Sequence, residues 1–163
     1  MNENKQESIE KLNALIKDIS TAMLTTVDTG VLRSRPMATQ EIDEDGNIWF
    51  LTGANTHKDK ELKQDNRVNV SYAAPEDNTY VSVSGTGETF HDQAKIDELW
   101  NPFYKAWFPD GQEDPNIRVL KVNIEQAEYW DAPSSTIVHL AGFLKALATG
   151  KQADGGENEK ITL

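Results

Sequence analysis

The chain has 163 residues, 37% of them hydrophobic and 26% charged, with no cysteine and a formal net charge of -11 at pH 7. That length and balance describe one soluble globular domain with its own core; the missing thiols exclude disulfides, iron–sulfur clusters and cysteine nucleophiles, leaving redox chemistry to an organic cofactor or a metal on other ligands. The acidity excludes general binding to nucleic acid, no apolar run approaches the ~20 residues of a membrane span, and the charged start "MNENKQESIEKLN" lacks the apolar core of a signal peptide, which points to the cytoplasm.

In chain order, Ile9, Leu12, Leu15, Ile16 and Ile19 recur at the spacing of an amphipathic helix. "TAMLTTV" and "VLRSRPMA", joined by Asp28, Thr29 and Gly30, read as a hairpin. A second hairpin is expected between Gln40–Ile42 and Ile48–Thr52, with Asp45-Gly46 as its turn. A short helix over Lys58–Gln64 follows, and then the strands "RVNVSY" and "TYVSVSGTGETF". "DQAKIDELWNPFYKAWF" has helical period, with Pro102 placed to kink or divide it. Its aromatic residues Trp100, Phe103, Tyr104, Trp107 and Phe108 fall on one stripe if the helix is continuous. "RVLKVNIEQAEYWD" reads as two strand segments or one bulged strand, and a last helix is expected over Ser135–Ala148. Residues 151–163 read as a polar, disordered tail behind a single domain over residues 1–150. Six or seven short antiparallel strands with helices around them imply a mainly β, α+β fold, a small closed or nearly closed barrel.

Two features bear on chemistry. Arg33, Arg35, His57, Lys58, Lys60, Lys63 and Arg67 gather in one part of an otherwise acidic chain, a setting for a small phosphorylated ligand. Within it, "FLTGANTHKDKEL" places Thr56, His57 and Lys58 at a helix start, where free backbone amides favour an anion. An ordinary N-cap at Asn55 or Thr56, with Asp59 completing a capping box, accounts for the same residues, and spacing alone favours it. His57, His91 and His139 show no metal-ligand spacing.

Three motifs together carry a resemblance. Leu51, Thr52, Thr56, His57 and Lys58 resemble the phosphate-binding segment of the split-barrel flavoproteins related to pyridoxamine 5'-phosphate oxidase; "RSRPMATQ" resembles the Arg-led strand beneath the cofactor, and "AEYWDAP" the carboxy-terminal Glu, aromatic, Trp sequence. The resemblance implies a six- or seven-stranded split β-barrel binding FMN, as a homodimer with the flavin at the subunit boundary. Lys58 and His57 would face the phosphate, with Thr56 adding a hydroxyl. Leu51 and Thr52 would lie along the flavin, and Arg35 would meet the phosphate or ribityl region. Pro36 and Met37 would present backbone to the ring, Trp130 would cross from the second subunit, and Trp107 would form a wall. His57 as a surface residue, Pro36 as an edge-strand marker and Trp130 or Trp107 as core residues are the plain alternatives.

"SRPMAT", "YVSVSGT", "LWNPFYKAWFP" and "EYWDAP" are similar to the general stress protein 26 branch of that superfamily. The oxidases' Arg, His, Arg cluster after the tryptophan is replaced by "DAPSSTIVHLAG", no arginine follows Arg118, and Gln40 stands where the oxidases carry a lysine. The expectation is therefore an FMN-dependent oxidoreductase acting on an unidentified small molecule, in a stress response, and not a pyridoxamine phosphate oxidase. A flavin-binding module without turnover is the alternative, and the deazaflavin F420, which related split barrels use, is the alternative cofactor. No catalytic acid or base is named.

Overall fold

A computed structural model of the protein describes residues 3–38, 42–132, 147 and 157–163. Helix α1 (Glu3–Ile16) buries Ile9, Leu12 and Ile16 on one face, and Ile19 reaches the same core from beyond the helix end. Strands β1 (Thr21–Asp28) and β2 (Val31–Ala38) pair as the expected hairpin. Its turn holds Thr29 and Gly30 at φ 49° and 85°, the two left-handed positions that a tight hairpin turn needs. The second hairpin survives only as a bridge between Ile42 and Ile48; Gln40 and Glu41 lie outside the described residues. Here the Asp43 carboxylate accepts backbone bonds from Asp45 and Asn47, with Gly46 at φ 86°.

Then come β3 (Asn47–Gly53), α2 (His57–Gln64), β4 (Arg67–Ala74), β5 (Thr79–Phe90), α3 (Gln93–Leu99), β6 (Ile117–Asp131) and β7 (Glu157–Thr162). All pairings are antiparallel, in the order β2-β1-β4-β5-β6-β3, with β7 also on β6. This is the α+β split barrel. Strand β6 organises it: β5 runs along one edge, while the other edge takes β3 over residues 117–123 and β7 over residues 126–131. Between Ser84–Gln126 and Gly85–Ile124 the register slips past Glu125, so the last segment is one bulged strand. Gly85 is required there, because a Cβ would sit 1.9 Å from the Asn123 carbonyl oxygen.

Two expectations are corrected. Residues 157–162 of the supposed tail form β7, since Ile161 buries itself in the core, Leu163 packs against it, and β6 offers an open edge. The segment around Pro102 is not one helix. Helix α3 stops at Leu99, and Pro102–Ala106 forms a 3-10 turn whose start is capped by the Asn101 side chain accepting from the Phe103 amide. With three residues per turn instead of 3.6 the stripe breaks up. Trp100, Tyr104 and Phe108 pack against a small second core of Leu51, Ile96, Ile117 and Val119, whereas Phe103 and Trp107 are 83% and 71% exposed. The helix expected over Ser135–Ala148 lies outside the described residues, Leu147 excepted. Among the described residues no helix is long and apolar enough to cross a membrane.

Among the described residues, the barrel interior holds an unsatisfied group outside the cleft described below. Tyr72 is 2% exposed and its hydroxyl has no hydrogen-bond partner, with burial pushing its pKa up. Replacing Tyr72 with Phe should therefore raise stability by about 1 kcal/mol, because a desolvated hydroxyl is removed with little loss of packing. Urea unfolding of the two proteins reads this directly. A Tyr72→Phe variant less stable than the parent would mean that the hydroxyl is bonded in solution, as by a buried water.

Candidate functional site

A cleft of about 500 Å³ opens where the end of β2, the end of β3, the start of α2 and the 3-10 turn meet. Ser20, Thr21, Pro36, Met37 and Ala38 line one side, Leu51, Thr52 and Gly53 another, Lys58 one end, and Tyr104, Trp107 and Phe108 the aromatic wall. Local sequence explains this assembly. Strand β3 is covered on both faces, so "IWFLT" reads as a continuous apolar run, and it ends in Thr52, 4% exposed. The chain then turns through Asn55 at φ 57° into Thr56, the N-cap of α2. Pro36 lies on β2, whose outer edge pairs with no other strand among the described residues. A missing amide is tolerated at such an edge, and the free backbone groups nearby can serve a ligand.

The polar end of the cleft is short of partners. The hydroxyls of Thr52 and Thr56 are buried and unbonded. Thr56 caps by position only: its side chain makes no capping bond, and Asp59 accepts instead from Thr89 and, at 2.9 Å, from Lys63. The capping box is therefore not formed. Lys58, half-buried in the cleft, has no hydrogen bond or salt bridge among the described residues. Burial and then the positive charge of Arg35 lower its pKa from the ordinary 10.5, with Glu61 opposing. A cation and two hydroxyls left without partners around a cleft are the complement of an anion.

Behind Lys58 lies a cluster that sequence reasoning missed. Glu61 is 3% exposed and faces inward from α2. Its carboxylate accepts from the Thr26 hydroxyl, from Arg35 Nη2 at 2.7 Å and from Arg33 Nη1 at 3.0 Å; Arg33 also bridges Asp28. Arg35 Nη1 donates to Thr26 Oγ1 at 2.5 Å. Burial opposes ionisation of Glu61, yet the bonds from Thr26 and Arg35 and the charges of Arg35 and Arg33 hold its carboxyl below the usual range. A glutamate in a charged helix reads as solvated; only its pairing in space with two arginines of β2 reveals it.

Of the residues singled out from sequence, Pro36, Met37, Leu51, Thr52, Lys58 and Trp107 come together in the cleft. Thr56 stands beside it, its methyl 3.5 Å from where a Cβ on Gly53 would lie. Arg35 is turned onto Glu61 and Thr26, and His57 is an exposed residue at the start of α2. Trp130, 41% exposed, pairs with Tyr80 and Asn158 along β6 and does not line the cleft of its own chain. Ser20, Thr21, Tyr104 and Phe108 line the cleft without having been singled out for it; the aromatic pair was visible as part of the "LWNPFYKAWF" block.

Comparison with known proteins gives the family. The family described as pyridoxamine 5'-phosphate oxidase like matches residues 7–154, nearly the whole chain. The chain belongs to that family. Among relatives of the chain, protein bli-3 of Neurospora crassa is 30% identical over 96% of the chain and 80% of its own length. A crystal structure of a candidate general stress protein 26 from Jannaschia sp. CCS1 superposes with a TM-score of 0.78, at 26% identity over 96% of this chain and 99% of that one. The general stress FMN/FAD binding protein of Xanthomonas citri is 33% identical, with a TM-score of 0.64, over 77% of this chain and 89% of its own.

Proposed function

We propose that the cleft binds FMN and that the protein is an FMN-dependent oxidoreductase for a small molecule, working in the cytoplasm in a stress response. The observation that carries this reading is the half-buried Lys58, without a hydrogen bond or salt bridge among the described residues, beside the orphaned hydroxyls of Thr52 and Thr56. A phosphate would supply all three with a charged acceptor. The free edge at Pro36 and Met37 and the apolar Leu51 suit a planar ring, and the name of the Xanthomonas citri relative supports a flavin. When bound, the flavin supplies the hydride or electron transfer. The chain's part is to hold the phosphate, orient the ring against the β2 edge and exclude water with Tyr104, Trp107 and Phe108. Pyridoxamine phosphate is not the substrate in this reading, because the chain carries no arginine after Arg118 to hold a second phosphate.

The assembly in this reading is a homodimer with the flavin at the subunit boundary. Phe103, Trp107, Trp130, Tyr80, Val31 and Leu32 are exposed at 40% or more, apolar surface that a partner would cover. Trp130, outside its own chain's cleft, would then cross the boundary to the partner's flavin. A second reading, a flavin-binding module without turnover, is favoured by one feature: among the described residues that line the cleft, Lys58 and Tyr104 are the only titratable ones, and they do not include a carboxylate or a histidine.

The visible spectrum of the purified protein, before and after adding FMN and removing the excess, tests the cofactor. A retained flavin spectrum is expected; a colourless protein that takes up no FMN would sink the reading. The affinity should also fall at alkaline pH. Lys58 holds its proton less tightly than an ordinary lysine and a bound phosphate favours the charged form, so binding is lost as pH rises through the free protein's Lys58 pKa, below 10.5. Bound flavin reducible by a nicotinamide, with turnover on an acceptor, separates the enzyme from the module.

A further inference from the structure

The buried carboxylate of Glu61 lies on the same helix as Lys58, and its partners are cations that a phosphate would also attract. Its side chain is 4% exposed and sits one helical turn after Lys58, tying α2 to β1 through Thr26 and to β2 through Arg33 and Arg35. Arg35 is close enough to Lys58 to depress its proton affinity, yet it does not line the cleft. Both of its terminal nitrogens are occupied, one by Glu61 and one by Thr26.

We infer that Glu61 is a built-in competitor for the cofactor phosphate: it holds Arg35 off the cleft and keeps phosphate affinity below what the gathered cations could provide. This rests on the reading of the Lys58 end as a phosphate site. The reason is charge arithmetic. A guanidinium in a charge-assisted bond to a buried carboxylate must loosen that bond to serve a second anion. The carboxylate itself also repels the incoming phosphate. Removing the charge of Glu61 leaves Arg33, Arg35 and Lys58 short of an anion, a condition that a bound phosphate relieves. The change that destabilises the free protein thus tightens the complex. A purely organising role for Glu61 predicts the opposite, since losing the clamp would then scatter the cations and weaken binding.

The experiment measures dissociation constants for FMN and riboflavin, by quenching of flavin fluorescence, in the parent protein, Glu61→Gln and Thr26→Val. The ratio of the two constants isolates the phosphate. The parent should prefer FMN. Glu61→Gln should raise that preference by about tenfold through tighter FMN binding, with riboflavin unchanged. Thr26→Val keeps the side-chain shape and all charges but removes the hydroxyl between Arg35 and Glu61, so it should raise the preference by a smaller factor. It decides the matter if Glu61→Gln does not fold. A preference that stays the same or falls in the variants overturns the role of Glu61 and leaves the phosphate site standing. A parent that binds riboflavin as tightly as FMN, or binds neither, overturns the phosphate reading and this inference with it.

Discussion

Replacing Lys58 with alanine should weaken FMN binding by about thirtyfold to a hundredfold, while riboflavin binding changes by less than about twofold. Among the described residues, Lys58 is the one formally charged side chain lining the cleft, and no carboxylate forms a salt bridge with it. Among the described residues its charge is met only through space, by Glu61, which leaves the ammonium free to bond an anion. The free protein should lose nothing: alanine removes a half-buried ammonium whose burial already costs proton affinity, so the variant should unfold at the same or higher denaturant concentration. Parallel titrations with FMN and riboflavin give the result. Equal losses for both ligands would make Lys58 a wall of the cleft and not a phosphate ligand.

Glu61→Gln should lower stability at neutral pH by about 3 kcal/mol, the lower end expected for breaking a buried ion pair, because Arg33 is partly exposed and can recover water. The pH dependence identifies the cause. The Glu61 carboxyl is held below its ordinary value of 4.5 against the effect of burial, by Thr26, Arg35 and Arg33. A carboxylate with a depressed folded-state pKa contributes in full above its unfolded pKa and loses that contribution as pH falls through the folded-state value. The gap between parent and variant should therefore hold from neutral pH down to roughly pH 5 and close below it. Urea unfolding at several pH values checks this. Curves that stay equally separated at low pH would show that the loss comes from packing and not from the ionised pair.

Several elements are legible without coordinates because neighbours in sequence determine them. Ile9, Leu12 and Ile16 define the buried face of α1, and Asp28, Thr29 and Gly30 define the β1–β2 turn. Thr52 to Lys58 can be read as a strand end running into a helix start, and that reading led to the cleft. The choice between a capped helix and an anion site was not legible, since the same residues serve both. The structure shows that the Thr56 hydroxyl makes no bond to its own helix, so the capping box is not what these residues form. The aromatic block misled in a different way. Its spacing is helical, but Pro102 denies the backbone donor that a continuous helix needs, and the resulting 3-10 turn sends Trp107 to the cleft and Phe103 to solvent.

By itself the sequence determined the barrel class, the β1–β2 hairpin and the family, because alternating patterns, turn residues and short motifs are local properties of the chain. Only the tertiary structure decided that Glu61 is buried against Arg33 and Arg35 and that residues 157–162 complete the edge of β6. It also decided that Lys58, Thr52 and Thr56 have no hydrogen-bond partner among the described residues. Whether a charge is paired, or a polar strand finds an edge, depends on what residues distant in sequence bring to it, and no local pattern encodes that neighbour.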